Sequence, residues 1–159
     1  MVDENGSIEV GDRVPDVDLQ APSGGTVRLS DLLDGRPLVI AFYPKDFTPI
    51  CHLETRRFRD AYDEFTDLDA EVIGISSDPP ESHRKFAEKN DIPYNLYTDI
   101  DGAMRKAFGV PRTLGVIPGR VTYVVDEDGI VRNIYNAQLA AGKHVRESLE
   151  ALKEMRNGD

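Results

Sequence analysis

Residues 37–43 read Pro-Leu-Val-Ile-Ala-Phe-Tyr, an apolar run with no polar interruption. A strand with one wet face would alternate apolar and polar residues, and this run does not. Its β-branched and aromatic members and its length fit a strand buried on both faces. Such strands belong to sheets covered by helices on each side. The run therefore requires a layered α/β architecture, and it directs attention to what the neighbouring segments can fold into.

Those segments supply the helices. Leu53, Phe58, Ala61, Tyr62, Phe65 and Leu68 recur at three- and four-residue spacing, which predicts a helix of about four turns. Val72–Ser76 reads as a second strand. Asp78-Pro79-Pro80-Glu81 reads as a helix start with Asp78 as cap, and the helix runs to about Asn90 before Pro93. Tyr94–Tyr97 is a short strand. Asp101 is expected to cap another helix that Gly109 ends. Val121–Val125 and Ile130–Tyr135 flank Asp126-Glu127-Asp128-Gly129 as a hairpin. The last helix, about 143–156, places Val145, Leu149, Leu152 and Met155 on one face. The first 25 or so residues read as irregular, with a short strand at Thr26–Leu29 and a helical turn after Ser30. The alternation implies an α/β fold with a central mixed sheet and helices on both faces.

Length and charge bound the rest. A chain of 159 residues fits a single domain, 1–159, that buries roughly 70% of its unfolded surface. No stretch approaches the ~18 apolar residues of a membrane span, and the acidic start MVDENGSIEV lacks the apolar core of a secretory signal. The net charge is −10, with 18 Asp and 11 Glu against 6 Lys and 13 Arg. Nucleic acids and anionic membranes require clustered positive charge, so neither is an expected partner. Acid-rich, Lys-poor composition is also one way to stay soluble in concentrated salt. The single cysteine excludes an internal disulfide and a Cys-rich zinc cluster, and a cytoplasmic location is the default expectation.

That cysteine lies in Tyr43-Pro44-Lys45-Asp46-Phe47-Thr48-Pro49-Ile50-Cys51-His52-Leu53-Glu54, which joins the buried strand to the long helix. In open α/β sheets, sites form where strand C-termini meet helix N-termini. Thr48 is a good N-cap and Pro49 then falls at the first helical position, so Cys51 is the third helical residue. A free thiol has a pKa near ~8.5, and the thiolate is the nucleophile. A helix N-terminus contributes ~0.3–1 kcal/mol to an anion, less than about one pKa unit. A nearby cation must supply the remainder. Arg120 and Arg112 are the candidates, the latter in the Gly- and Pro-bearing stretch 109–119.

Pro44, Thr48 and Cys51 match the P-x-x-x-T-x-x-C motif of the peroxiredoxins, and Glu54 matches the acid three positions after the cysteine. The string FYPKDFTPIC resembles the peroxiredoxin Q, or bacterioferritin comigratory protein, group. Leu29-Ser30-Asp31-Leu32, VIGISSD and Arg120–Asp126 extend the similarity over nearly the whole chain. The resemblance implies a thioredoxin-like fold and a thiol peroxidase acting on hydrogen peroxide and small organic hydroperoxides. It implies Cys51 as the peroxidatic residue, oxidised to a sulfenic acid. Thr48 would hydrogen-bond the peroxide or thiolate, and Pro44 would shield the sulfur. Arg120 would lower the thiol pKa and stabilise the leaving oxygen, and Glu54 would orient an arginine. Neither cofactor nor metal is implied.

Many members of this group carry a resolving cysteine five residues after the first, where this chain has Arg56. A one-cysteine cycle follows, reduced by an external thiol: a thioredoxin-like protein, a glutaredoxin or a small thiol. A monomer or weak dimer is expected from the resemblance. The alternatives are a cysteine-based redox sensor and a thioredoxin-fold binding protein with little turnover. Several other features carry less. His52 is adjacent to Cys51 on the helix and points ~100° away, which makes it a poor base. His83 and His144 read as isolated and solvated. Asp126-x-Asp128-Gly129 resembles a calcium loop but lacks the downstream Glu. No P-loop or dinucleotide fingerprint is present.

Overall fold

The computed structural model describes residues 8–43, 49–110, 112–113, 117–118, 120–136 and 141–158. The apolar run becomes β3 (Leu38–Phe42), every residue of which is buried. It pairs in parallel with β4 (Glu71–Ser76), which pairs in parallel with β5 (Asn95–Thr98). On its other side β3 pairs antiparallel with β8 (Val121–Val125), and β8 with β9 (Val131–Asn136). Two short strands, β1 (Asp18–Gln20) and β2 (Thr26–Arg28), extend the opposite edge. The sheet order is β2-β1-β5-β4-β3-β8-β9, so it is mixed, as the alternation implied. A separate ribbon pairs β6 (Arg112–Thr113) with β7 (Ile117–Pro118).

Side chains of β3 alternate between two cores. Leu38, Ile40 and Phe42 pack on one face with Met104 and Phe108 of α5 (Ala103–Phe108) and with Leu29 of α1 (Leu29–Leu33). Val39, Ala41 and Tyr43 face the other side. There they meet Phe58 of α2 (Pro49–Asp60), Phe65 of α3 (Tyr62–Asp67), Phe86 of α4 (Pro80–Asn90) and Val145, Leu149 and Leu152 of α6 (Ala141–Gly158). Covering helices on both faces explain why the run has no polar member.

Local chemistry departs from the sequence reading at several points. The long helix is interrupted at Ala61, giving α2 and α3. Leu53, placed on the apolar stripe by its spacing, is 45% exposed. Pro79, not Asp78, caps α4; the Asp78 carboxylate instead accepts the Ser76 hydroxyl at 2.7 Å. Asp101 does not cap α5, because it sits at φ 52° within a 3-10 turn, Ile100–Gly102. Asp99 does that work, its carboxylate accepting from Met104 N at 2.7 Å and Arg105 N at 3.1 Å. The strand β1 lies in a stretch that reads as irregular because three residues are too few to show a period.

Candidate active site

The antiparallel register of β8 against β3 builds the site. Val121, the first residue of β8, pairs with Phe42, the last of β3. Arg120 immediately precedes β8, so it arrives at the end of β3 from which the chain passes into α2. Helix α2 starts at Pro49, which makes Cys51 its third residue, as the Thr48-Pro49 signal predicts. Pro44 and Thr48 lie outside the described residues, and of Cys51 only the helical backbone is described.

One turn beyond position 51, Glu54 is 2% exposed, and Arg120 is 2% exposed. Arg120 Nη1 donates to Glu54 Oε2 at 3.0 Å across 66 residues of sequence. Burial pushes the Glu54 carboxyl up to about 7, and the charge and hydrogen bond of Arg120 draw it back only in part. Of the two candidate cations, Arg120 joins the buried network. Arg112 has its backbone in β6, and its side chain lies outside the described residues.

Two histidines that read as solvated are buried. His144 is fully buried, its Nδ1 2.8 Å from Thr122 Oγ1 and its Nε2 3.9 Å from the Glu54 Oε2 that Arg120 contacts. Its ring stands edge-on to Tyr135, with centroids 4.7 Å apart. A signal for this burial exists in the sequence: His144 and Ser148, four apart, run beside the stripe Val145, Leu149 and Leu152. His83 is 1% exposed, with Nδ1 3.3 Å from the Tyr43 hydroxyl and Nε2 3.5 Å from Ser76 Oγ. Arg105 also escapes sequence reasoning. It donates from Nη2 to the Tyr43 carbonyl at 2.8 Å and lies 5.6 Å over the Phe42 ring, fixing the chain just before the segment 44–48.

In the Asp126 turn the carboxylate of Asp126 is fully engaged. Asp126 Oδ1 accepts from the N–H groups of Asp128 and Ile130, and Oδ2 accepts from Arg132 at 2.7 Å. These bonds close the hairpin and occupy both Asp126 oxygens, which a calcium ion in such a loop would share. Among the described residues no cluster of metal-ligating side chains occurs.

With this geometry in place, relatives bear on it. The sequence profile described as the AhpC/TSA family matches residues 10–134. Peroxiredoxin Q, chloroplastic, of Oryza sativa subsp. japonica is 42% identical over 151 residues, covering 94% of this chain and 69% of that protein. The crystal structure of peroxidoxin BcpB from Mycobacterium tuberculosis superposes with a TM-score of 0.87 at 36% identity, covering 94% of this chain and 99% of that one. The crystal structure of a cysteine-to-serine mutant of Xylella fastidiosa PrxQ gives a TM-score of 0.85 at 28% identity, covering 94% and 98%.

Proposed function

The chain belongs to the AhpC/TSA family, and from that premise we propose how its own residues carry the reaction. The protein is a thiol-dependent peroxidase of thioredoxin-like fold, and its single cysteine, Cys51, fits a one-cysteine cycle. The Cys51 thiolate attacks one oxygen of the peroxide. An S–O bond forms as the O–O bond breaks, and the leaving oxygen takes a proton to become water or alcohol. The product is a sulfenic acid. A first external thiol condenses with it, releasing water and leaving a mixed disulfide; a second thiol frees Cys51 and departs as the disulfide.

The Arg120–Glu54 pair carries the assignment of roles. The N-terminus of α2 alone leaves a thiol largely protonated at neutral pH, so a fixed cation is needed nearby. A buried guanidinium, hydrogen-bonded to an acid one turn along the helix of Cys51, meets that need. Arg120 lowers the thiol pKa and stabilises charge on the leaving oxygen, with Glu54 as its orienting partner. Thr48 supplies a hydroxyl to the peroxide or thiolate, and Pro44 shields the sulfur. The finer partners belong to the same proposal: a thioredoxin-like protein, a glutaredoxin or a small thiol as reductant, a monomer or weak dimer, and cytoplasmic residence.

Rapid mixing of the reduced protein with hydrogen peroxide, followed by quenching and intact mass, tests the reading. Cys51→Ser is expected to abolish turnover. Arg120→Gln is expected to slow sulfenate formation by about a hundredfold, the scale on which loss of a preorganised charge donor acts. Wild-type rates in Arg120→Gln would remove Arg120 from the mechanism.

A further inference from the structure

We propose that His144 is a positioning residue for the peroxidase reaction: from α6 it holds the Glu54 carboxylate in the orientation that fixes Arg120. The proposal rests on the role given to Arg120 above. It ties the C-terminal helix, more than 80 residues from Cys51 in sequence, to the reactivity of that cysteine.

The geometry limits what the imidazole can do. Its Nδ1 is 2.8 Å from the Thr122 hydroxyl, a group that can either donate or accept. Its Nε2 is 3.9 Å from Glu54 Oε2. If Thr122 donates to Nδ1, the neutral ring carries its proton on Nε2. If Thr122 accepts, the ring is either protonated on both nitrogens or carries its proton on Nδ1 alone. The last arrangement would aim a lone pair at the carboxylate and is repelled. Both favourable states present an Nε2–H to Glu54. At 3.9 Å the contact is electrostatic rather than a hydrogen bond, but it acts in a dry, low-dielectric setting where dipoles count for more.

Groups that face the ring include Glu54 from α2, Thr122 from β8 and Tyr135 from β9, with Arg120 beyond the carboxylate. Ser148, on the same helix, donates to the His144 carbonyl at 2.7 Å and so anchors the backbone rather than the ring. Burial drives Glu54 toward the neutral acid, and the Nε2–H opposes that drive. A neutral, less firmly held Glu54 would grip Arg120 less well.

The test uses the full chain and the rate of Cys51 oxidation by hydrogen peroxide. His144→Leu is expected to slow oxidation about tenfold near pH 7, a loss on the scale of a contact to a charged group. His144→Gln, whose amide nitrogen reproduces the Nε2 donor, is expected to restore most of it, whereas His144→Asn reproduces only the Nδ1 side and is not. In a Glu54→Gln background, His144→Leu should add nothing further. Thr122→Val keeps the histidine but frees Nδ1, and is expected to slow the reaction several-fold. It serves as the second probe should His144→Leu fail to fold. Wild-type rates in both His144→Leu and Thr122→Val, or equal losses with and without Glu54, overturn the proposal. A slowed Arg120→Gln beside an unaffected His144→Leu removes His144 alone, whereas an unaffected Arg120→Gln removes the underlying assignment and this proposal with it.

Discussion

At Glu54 the energetics of burial and pairing pull against each other. Its carboxyl, ordinarily near 4.5, is raised to about 7 by burial, with Arg120 offsetting part of the rise. A raised value means that folding favours the protonated form. That stabilisation is complete below about 4.5 and is lost as pH climbs through about 7, a difference on the order of 3 kcal/mol. Glu54→Gln cannot titrate, so it isolates the effect. In urea unfolding, the stability of wild type relative to Glu54→Gln should fall by about 3 kcal/mol between pH ~4.5 and ~8. A constant difference would mean that Arg120 holds Glu54 ionised throughout. Much of this residue-level chemistry is legible in the sequence: the Thr48-Pro49-Ile50-Cys51 signal places Cys51 in a first helical turn, and the need for a cation leaves Arg120 and Arg112, between which only the family resemblance favours Arg120. His144, Thr122 and Arg105 are not legible in that way. Each acts through a partner more than 20 residues away, and local pattern carries no information about such pairs.

Among the elements, β3 is the one most strongly dictated by its residues, since only a strand covered on both faces suits its run. The short strands escape because pairing partners define them more than periodicity does. Leu53 fits the helical stripe yet faces water, because the buried face of α2 runs through Glu54, Thr55 and Phe58 and gives its early positions to polar groups. Strand β4 adds a constraint that composition hides. A Cβ on Gly74 would lie 2.7 Å from Leu96 Cδ2 and 3.2 Å from Tyr43 Cε1. Tyr43 cannot retreat freely: its hydroxyl meets His83 and its carbonyl accepts from Arg105. Gly74→Ala should therefore destabilise the protein by about 1–3 kcal/mol through overpacking. It should also slow Cys51 oxidation, since Tyr43 leads into the Pro44–Thr48 segment. Chemical denaturation and the peroxide reaction check the two effects separately. An unchanged midpoint would show that Leu96 moves aside at no cost.

Charge is the property of the whole molecule, with 29 acids against 19 bases. Among the described residues, aspartates even occupy left-handed backbone positions, Asp34, Asp69, Asp91 and Asp101, where Gly or Asn would fit without adding charge. Two of these, Asp34 and Asp91, end helices and set a negative group against the negative end of the dipole. Salt weakens such repulsion, because the screening length falls from about 10 Å at 0.1 M to about 3 Å at 1 M. It also weakens exposed pairs such as Arg28–Asp16 and Lys85–Glu81, but these contribute little to stability. The balance favours stabilisation. Thermal melts in about 0.1 M and about 2 M potassium chloride should show the midpoint rising by several degrees, at roughly 2–4 °C per kcal/mol for a chain of this size. The chemistry should respond differently. Hydrogen peroxide is neutral, and the Arg120–Glu54–His144 network is sealed from solvent ions, so the rate of Cys51 oxidation should stay level over the same range. Re-reduction by a charged thiol should instead change with salt, because that partner must approach a surface of net −10. A midpoint indifferent to salt would make the acidic composition incidental to stability. A peroxide step that shifts with salt would mean that the charges governing Cys51 lie on the surface, outside the buried pair.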